Sequence, residues 1–228
     1  MYPMMFDSTY ILVIIGMIIV MYAQSKVKST FNKYDQLETQ IRVTGRQAAE
    51  AILSQAGIHD VRVEHVPGHL TDHYDPRDKV LRLSDATYDQ TSVAAVAVAA
   101  HECGHAVQDA VGYHFLKLRS AIVPVVQIGS AMAMPMIILG LILSWIGLVR
   151  IGIIAFGLTV VFQLVTLPVE FDASKRAIAI LQERQLFTPQ EIPAAQKVLR
   201  AAAFTYIAAT LSTMLQLIRL IMVSNRRR

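Results

Sequence analysis

The 228 residues are 54% hydrophobic and only 17% charged, which excludes an ordinary soluble globule and leaves room for one domain of usual size beside membrane segments. The net charge of +4 is scattered beside apolar runs and forms no long basic block, so membrane topology accounts for it and nucleic acid is not an expected partner. A single cysteine, Cys103, rules out an intrachain disulfide and a multi-cysteine zinc knuckle.

Residues 1–24 read as an N-terminal membrane anchor. Met4 to Ala23 supplies the roughly 20 apolar residues that a bilayer-crossing helix needs. It has no positive leading region and no small-residue cleavage site, and Lys26 and Lys28 follow it directly, so a retained signal-anchor is expected. Residues 25–120 read as a small α+β domain. Within it, Lys33 to Gly57 has helical spacing, with Leu37, Ile41, Ala48, Ala51 and Ile52 on one stripe and Gly57 in a stop position. "VRVEHV" (Val61 to Val66) alternates as a strand, "PGHLTDHYDPRDK" carries turn chemistry, and "VLRLS" (Val80 to Ser84) is the expected hairpin partner. Thr91 or Ser92 caps the next helix, "VAAVAVAAHECGHAVQDA".

Residues 121–169 hold two further apolar runs, Ile122 to Val149 and Ile151 to Val169, separated only by Arg150 between Gly147 and Gly152. So short a link predicts an antiparallel membrane hairpin with its tip at Arg150, because backbone in hydrocarbon must satisfy its own hydrogen bonds. Pro135 is expected to kink the first arm, and the Met and Ile residues around it face lipid or packing partners. The hairpin returns the chain to the face it left, where 170–200 forms another helix. Residues 201–228 make a last apolar helix, Ala201 to Val223, interrupted by Gln216 and Arg219 and followed by Arg226 to Arg228; it either spans or lies along the interface.

Lys and Arg number eleven between Gln24 and Ser120 and five between Glu170 and Arg200, against none before the first apolar run and one at the hairpin. The positive-inside rule then predicts a multi-pass protein of the cell membrane with its polar regions cytoplasmic and its N-terminus outside. A spanning last helix would carry Arg226 to Arg228 outward, against the same rule.

The chemistry lies in "HECGH". His101 and His105 stand four residues apart, one turn apart on one helix face, the spacing of two ligands to one tetrahedral zinc. Glu102 is about 100° round from His101, placed to work as general base on a water. Cys103 points to the far side and is expected to pack. Two imidazoles and an acid in so apolar a helix are costly unless something compensates them. Gly104, a weak helix former, fits close backbone packing beside a metal. A catalytic zinc takes a third protein ligand, and Glu170 in "LPVEFDASKRA" is the candidate, because the hairpin brings it back to the HECGH helix; Asp172 is its competitor. Oxyanion help is sought from His73, Tyr74, Tyr113 or His114, and Asp109 is a candidate to orient a ligand histidine. His65, His69 and His73 read as a polar surface without a second metal. "HLTDHYDPR" offers an edge strand or turn for an extended peptide.

These motifs in this order, with "LTDHYDPR", "AAHECGHAVQDA", the hairpin and "LPVEFDASKRA", resemble the membrane-bound neutral zinc metallopeptidases of the YugP type over essentially the whole chain. More distantly the layout is similar to the HtpX and CAAX-prenyl endopeptidase gluzincins. The resemblance implies a mainly α membrane protein with a small zincin-like (gluzincin) domain, one catalytic Zn2+ on His101, His105 and Glu170, Glu102 as base, and protein or peptide substrates, membrane proteins among them. The relatives carry E-F-x-A-D where this chain reads Glu170, Phe171, Asp172, Ala173, Ser174, so Ser174 stands where they place an aspartate. The rival expectation is a membrane scaffold or chaperone-like protein with a structural or vestigial zinc. A structural zinc normally has four protein ligands, against three here. No feature of the sequence assigns a homo-oligomer or a partner in the bilayer.

Overall fold

The computed structural model describes residues 8–225, so the expectations for the first residues of the anchor and for Arg226 to Arg228 lie outside the described chain. The elements are α1 (Tyr10–Asp35), α2 (Gly45–Gln55), β1 (Arg62–Val66), β2 (His73–Asp75), β3 (Val80–Ser84), α3 (Val93–Ala110), α4 (His114–Ile142), α5 (Ile146–Glu183) and α6 (Ile192–Asn225). The described chain is mainly helical with one small sheet. Four helices, α1, α4, α5 and α6, are long and apolar enough to cross a membrane. The chain falls into two compact units: one takes residues up to Gln24, Leu118–Leu167 and those from Thr205 on; the other takes Ser25–Lys117 and Pro168–Phe204.

In the apolar unit, α4 and α5 form the helical hairpin. Its turn lies at Leu143–Trp145, not at Arg150, which stands inside α5. Ser144 takes a positive φ of 54°, and the amide of Trp145 bonds the Gly140 carbonyl at 2.8 Å. Gly152 serves packing, not turning, and so does Gly140 on the facing arm: a β-carbon on Gly152 would stand 2.9 Å from the Ala133 carbonyl oxygen, and one on Gly140 would stand 2.8 Å from the Val149 amide. Ile137, Val149 and Leu220 make the buried apolar cluster of this unit. Gln216 and Arg219, read as interruptions, are carried within an unbroken α6, and the Arg219 guanidinium lies 3.9 Å from the Tyr10 ring centre, a cation–π contact that offsets part of the cost of the charge.

The second unit is built around α3. Ser92 is its cap, accepting a hydrogen bond from the Ala95 amide. Val93, Val96, Ala97, Ala99, Ala100, Cys103 and Ala106 are buried against α2, the sheet and the polar-end residues of α5 and α6. Burial on all sides explains why this helix is small and apolar all round. Cys103 packs as expected, with Sγ 3.7 Å from the Ala49 carbonyl oxygen, and burial pushes its thiol pKa up.

Three local expectations are corrected. Residues 170–200 are not a helix of their own: 170–183 continue α5 and 192–200 begin α6. The helical stripe from Lys33 to Gly57 is two helices with an irregular segment between them. Residues 37–39 are consumed in backbone pairing with residues 91–93: the Thr39 amide bonds the Thr91 carbonyl at 3.0 Å and the Val93 amide bonds the Leu37 carbonyl at 2.8 Å. α2 starts afresh at a capping box of Thr44 and Gln47, and Leu37 and Ile41 are exposed. Gly57 does stop α2, at a φ of 70°.

The sheet order is β1-β3-β2, with β1 and β3 parallel and β2 antiparallel to β3. The hairpin partner of "VLRLS" is therefore His73–Asp75, not "VRVEHV". Gly68 and Leu70, at φ 121° and 58°, carry the chain past β3 to its far side. The Asp-Pro turn then returns it, with Asp75 Oδ1 accepting from the Arg77 amide at 2.9 Å. Asp72 fastens the arrangement by accepting from the Ser84 amide at 2.8 Å and its hydroxyl at 2.9 Å. β2 is thus an edge strand.

Candidate metal centre

The helical period sets the first part of the site. On α3, His101 and His105 sit one turn apart with ring centres 4.8 Å apart. On α5, Glu170 follows Pro168 and Val169 and is buried, its side chain 3% exposed. Glu170 Oε2 lies 3.4 Å from His101 Nε2 and 3.6 Å from His105 Nε2. One ligand atom from each of the three residues falls within 4.8 Å of the others. Bonds of about 2.1 Å to a tetrahedral zinc place neighbouring ligand atoms about 3.4 Å apart, so the spacing fits.

The far ring nitrogens are also engaged. His105 Nδ1 is 3.0 Å from Gln108 Oε1, and His101 Nδ1 is 3.2 Å from Ser174 Oγ. Gln108 Oε1 only accepts and the Ser174 hydroxyl is able to accept, so each ring, when neutral, can hold its hydrogen on Nδ1 and keep Nε2 bare for a metal. Two such nitrogens and a carboxylate oxygen are a donor set suited to zinc.

Glu102 is buried beside them, and burial pushes its carboxyl above the ordinary carboxylate range; His101 and His105 oppose that push, while Glu170 and Asp72 add to it. For His105, burial works against the charged ring, but the hydrogen bond to Glu170 and the charges of Glu102 and Glu170 outweigh it and raise its pKa.

Helix contact supplies the third part of the geometry. A β-carbon on Gly104 would stand 2.6 Å from the Ala173 carbonyl oxygen, so glycine is what lets α3 meet the backbone of α5 one turn from Glu170. Asp172, the competitor for the ligand role, faces elsewhere: its Oδ2 accepts from Gln108 Nε2 at 2.8 Å and from Arg176 Nε at 2.5 Å.

The other candidates have partners of their own outside the three ligands. Asp109 orients no ligand histidine; its Oδ2 accepts from Tyr74 Oη at 2.8 Å and from Lys79 Nζ at 2.7 Å, binding the edge strand to α3. At position 109 the side chain has turned toward β2, and the neighbouring Gln108 takes the place beside His105. Tyr74 is held as a donor to Asp109, and burial, reinforced by that bond, raises its pKa. His73 Nδ1 is bonded to the Thr71 carbonyl at 2.9 Å. Tyr113 Oη is 3.5 Å from the Pro168 carbonyl oxygen, and His114 packs its ring edge-on against Phe115. His65 pairs with Asp85 at 2.6 Å, and His69 stands edge-on to Phe31.

The sequence did not single out Gln108, and it gave Ser174 only as the residue standing where relatives place an aspartate, with no contact to a ligand. A signal was present for both, since each lies three or four residues from a ligand on the same helix face (His105 to Gln108, Glu170 to Ser174).

No solved structure matches the chain. A curated relative, "Putative membrane protease YugP" of Bacillus subtilis (strain 168), is 45% identical over 202 residues, covering 89% of this chain and 90% of that protein. The profile of the family described as "Putative neutral zinc metallopeptidase" matches residues 9–225, and with almost the whole chain covered, the protein belongs to that family.

Proposed function

We propose that the chain is a membrane-embedded zinc endopeptidase. The observation that carries this reading is the convergence of His101 and His105 from α3 with Glu170 from α5, with the buried Glu102 next to them in the chain. His101, His105 and Glu170 are the three residues that would hold zinc, which when bound supplies Lewis acidity and an acidified water. Glu102 receives the proton of the attacking water and delivers it to the departing amine. Its burial favours this, because a carboxyl with a raised pKa holds a proton between the two transfers. Three protein ligands leave a position for water, which speaks for a catalytic over a structural metal.

Substrates in this reading are proteins or peptides. β2, an edge strand tied to α3 through Tyr74 and Asp109, is the place for an extended segment to add by backbone pairing. The domain is of the zincin-like, gluzincin type. In this reading the protein sits in the cell membrane through its four apolar helices, and the Lys and Arg distribution supports a metal centre on the cytoplasmic side.

The test is made on the full chain purified in detergent. About one zinc per chain and cleavage of casein that stops on chelation and returns with zinc are expected. Zinc bound one to one with no cleavage of casein or of a membrane-protein substrate contradicts the peptidase reading and returns the site to a structural role.

A further inference from the structure

A buried neutral side chain on α3 bonds both to a ligand histidine and to α5, the helix that carries Glu170. Gln108 is fully buried. Its Nε2 donates to the Val169 carbonyl oxygen at 2.8 Å and to Asp172 Oδ2 at 2.8 Å, while Oε1 is 3.0 Å from His105 Nδ1. We propose that Gln108 is a positioning residue that fixes the tautomer of His105 and, with the same amide, the placement of Glu170. This rests on the zinc reading of the site.

An amide nitrogen has two hydrogens and an amide oxygen only accepts. Both neighbours of Nε2, a carbonyl and a carboxylate, are acceptors, so both hydrogens are assigned. Turning the amide over would set its oxygen against both of them, and oxygen-against-oxygen contacts in a buried site are costly. The orientation is therefore fixed by α5, and Oε1 must face His105. An acceptor there requires a hydrogen on Nδ1, so that when the ring is neutral, as metal binding demands, Nε2 is the bare nitrogen on the side of Glu170.

The other end of the amide acts on the third ligand. Val169 immediately precedes Glu170, so the bond to its carbonyl holds the backbone on which Glu170 stands. Asp172 is itself held by Arg176 Nε at 2.5 Å, and so is a fixed point for the amide to grip. No other residue type does all of this: Asn is one methylene too short, Glu lacks the donors and meets Asp172 with like charge, and Leu fills the volume without any bond.

The experiment measures zinc affinity by chelator competition, helicity by far-ultraviolet circular dichroism, and the visible spectrum of the Co2+-loaded full chain in detergent. Q108L is expected to keep the helical signal, weaken zinc binding about 10- to 100-fold, and shift the Co2+ bands. Q108E is expected to weaken zinc binding as well. Adding D172N to it restores a donor facing an acceptor at position 172 with the polarity reversed, while the Val169 carbonyl stays opposed, so a partial recovery of affinity above Q108E is expected. Zinc binding by Q108L within twofold of the parent, with the parent Co2+ spectrum, overturns the proposal. If Q108L does not fold, Q108E/D172N binding zinc no more tightly than Q108E overturns it. A parent chain that binds no zinc at all defeats the zinc reading instead, which separates the two failures.

Discussion

Gly104 of α3 lies against the backbone of Ala173 of α5, so near that an added β-carbon would meet the Ala173 carbonyl oxygen at 2.6 Å and its Cα at 3.2 Å. Both are helix backbone and cannot swing away. Alanine is the better helix former by about 1 kcal/mol, so propensity alone says that Gly104→Ala stabilises. Overpacking costs about 1–3 kcal/mol, and here it also pushes α5 from α3 next to Glu170. The expected outcome is a lower melting temperature together with weaker zinc binding, read by thermal unfolding with and without chelator. A melting temperature at or above that of the parent sinks the close-contact argument.

Ser174 offers its hydroxyl to His101 Nδ1 at 3.2 Å. Ser174→Ala removes the acceptor and is expected to weaken zinc about tenfold, whereas Ser174→Asp supplies a charged acceptor and is expected to hold or tighten it. Chelator competition on the pair is the check; equal affinities for the two variants would show that His101 does not depend on this partner.

The third ligand is separable from its competitor by metal content. Glu170→Ala is expected to leave the chain nearly free of zinc after dialysis, since it removes a ligand oxygen 3.4 Å and 3.6 Å from the two histidine nitrogens. Asp172→Ala, which takes away only one of the two acceptors on Gln108 Nε2, is expected to retain zinc at reduced affinity. The reverse ranking by elemental analysis would transfer the ligand role to Asp172.

Acid should release the metal early. The pKa of His105 in the metal-free chain is raised above its ordinary 6.5 by Glu170 and Glu102, which outweigh the effect of burial. Zinc needs the neutral ring, so protons compete for the site from a pH above 6.5 downward. The sign for the metal-free fold is opposite: a raised folded-state pKa gives stability that is present below the unfolded value and is lost as pH rises through the folded one. Titration is thus expected to show zinc affinity falling on acidification while the metal-free melting temperature rises. A zinc affinity flat from pH 8 to pH 6 would contradict it.

What could be read in the sequence was governed by period and connectivity. The turn-apart placement of His101 and His105 follows from the helix repeat, and the meeting with Glu170 follows from a hairpin that must return its chain. Burial of Cys103 followed from its angle on α3. The sheet order was not readable, because whether Gly68 and Leu70 lead the chain across β3 or back along β1 is decided by positive-φ backbone that only the fold fixes. Leu37 and Ile41 keep helical spacing, yet the backbone of Leu37 and Thr39 is claimed by residues 91–93, a long-range competitor that no local pattern reports. Gln108, Ser174 and Asp109 illustrate the same limit: helix angle says which side chains share a face, and only the packing of α3 on α5 and on β2 says which of them meets a ligand.

The most direct test of the account is Glu102→Gln, a change that keeps the size of a buried side chain and removes its capacity to take a proton. Zinc content and cleavage of casein are measured together on the same purified, zinc-loaded preparation. The account predicts about one zinc per chain, as in the parent, with cleavage reduced at least 100-fold. Cleavage equal to the parent at equal zinc content would contradict it.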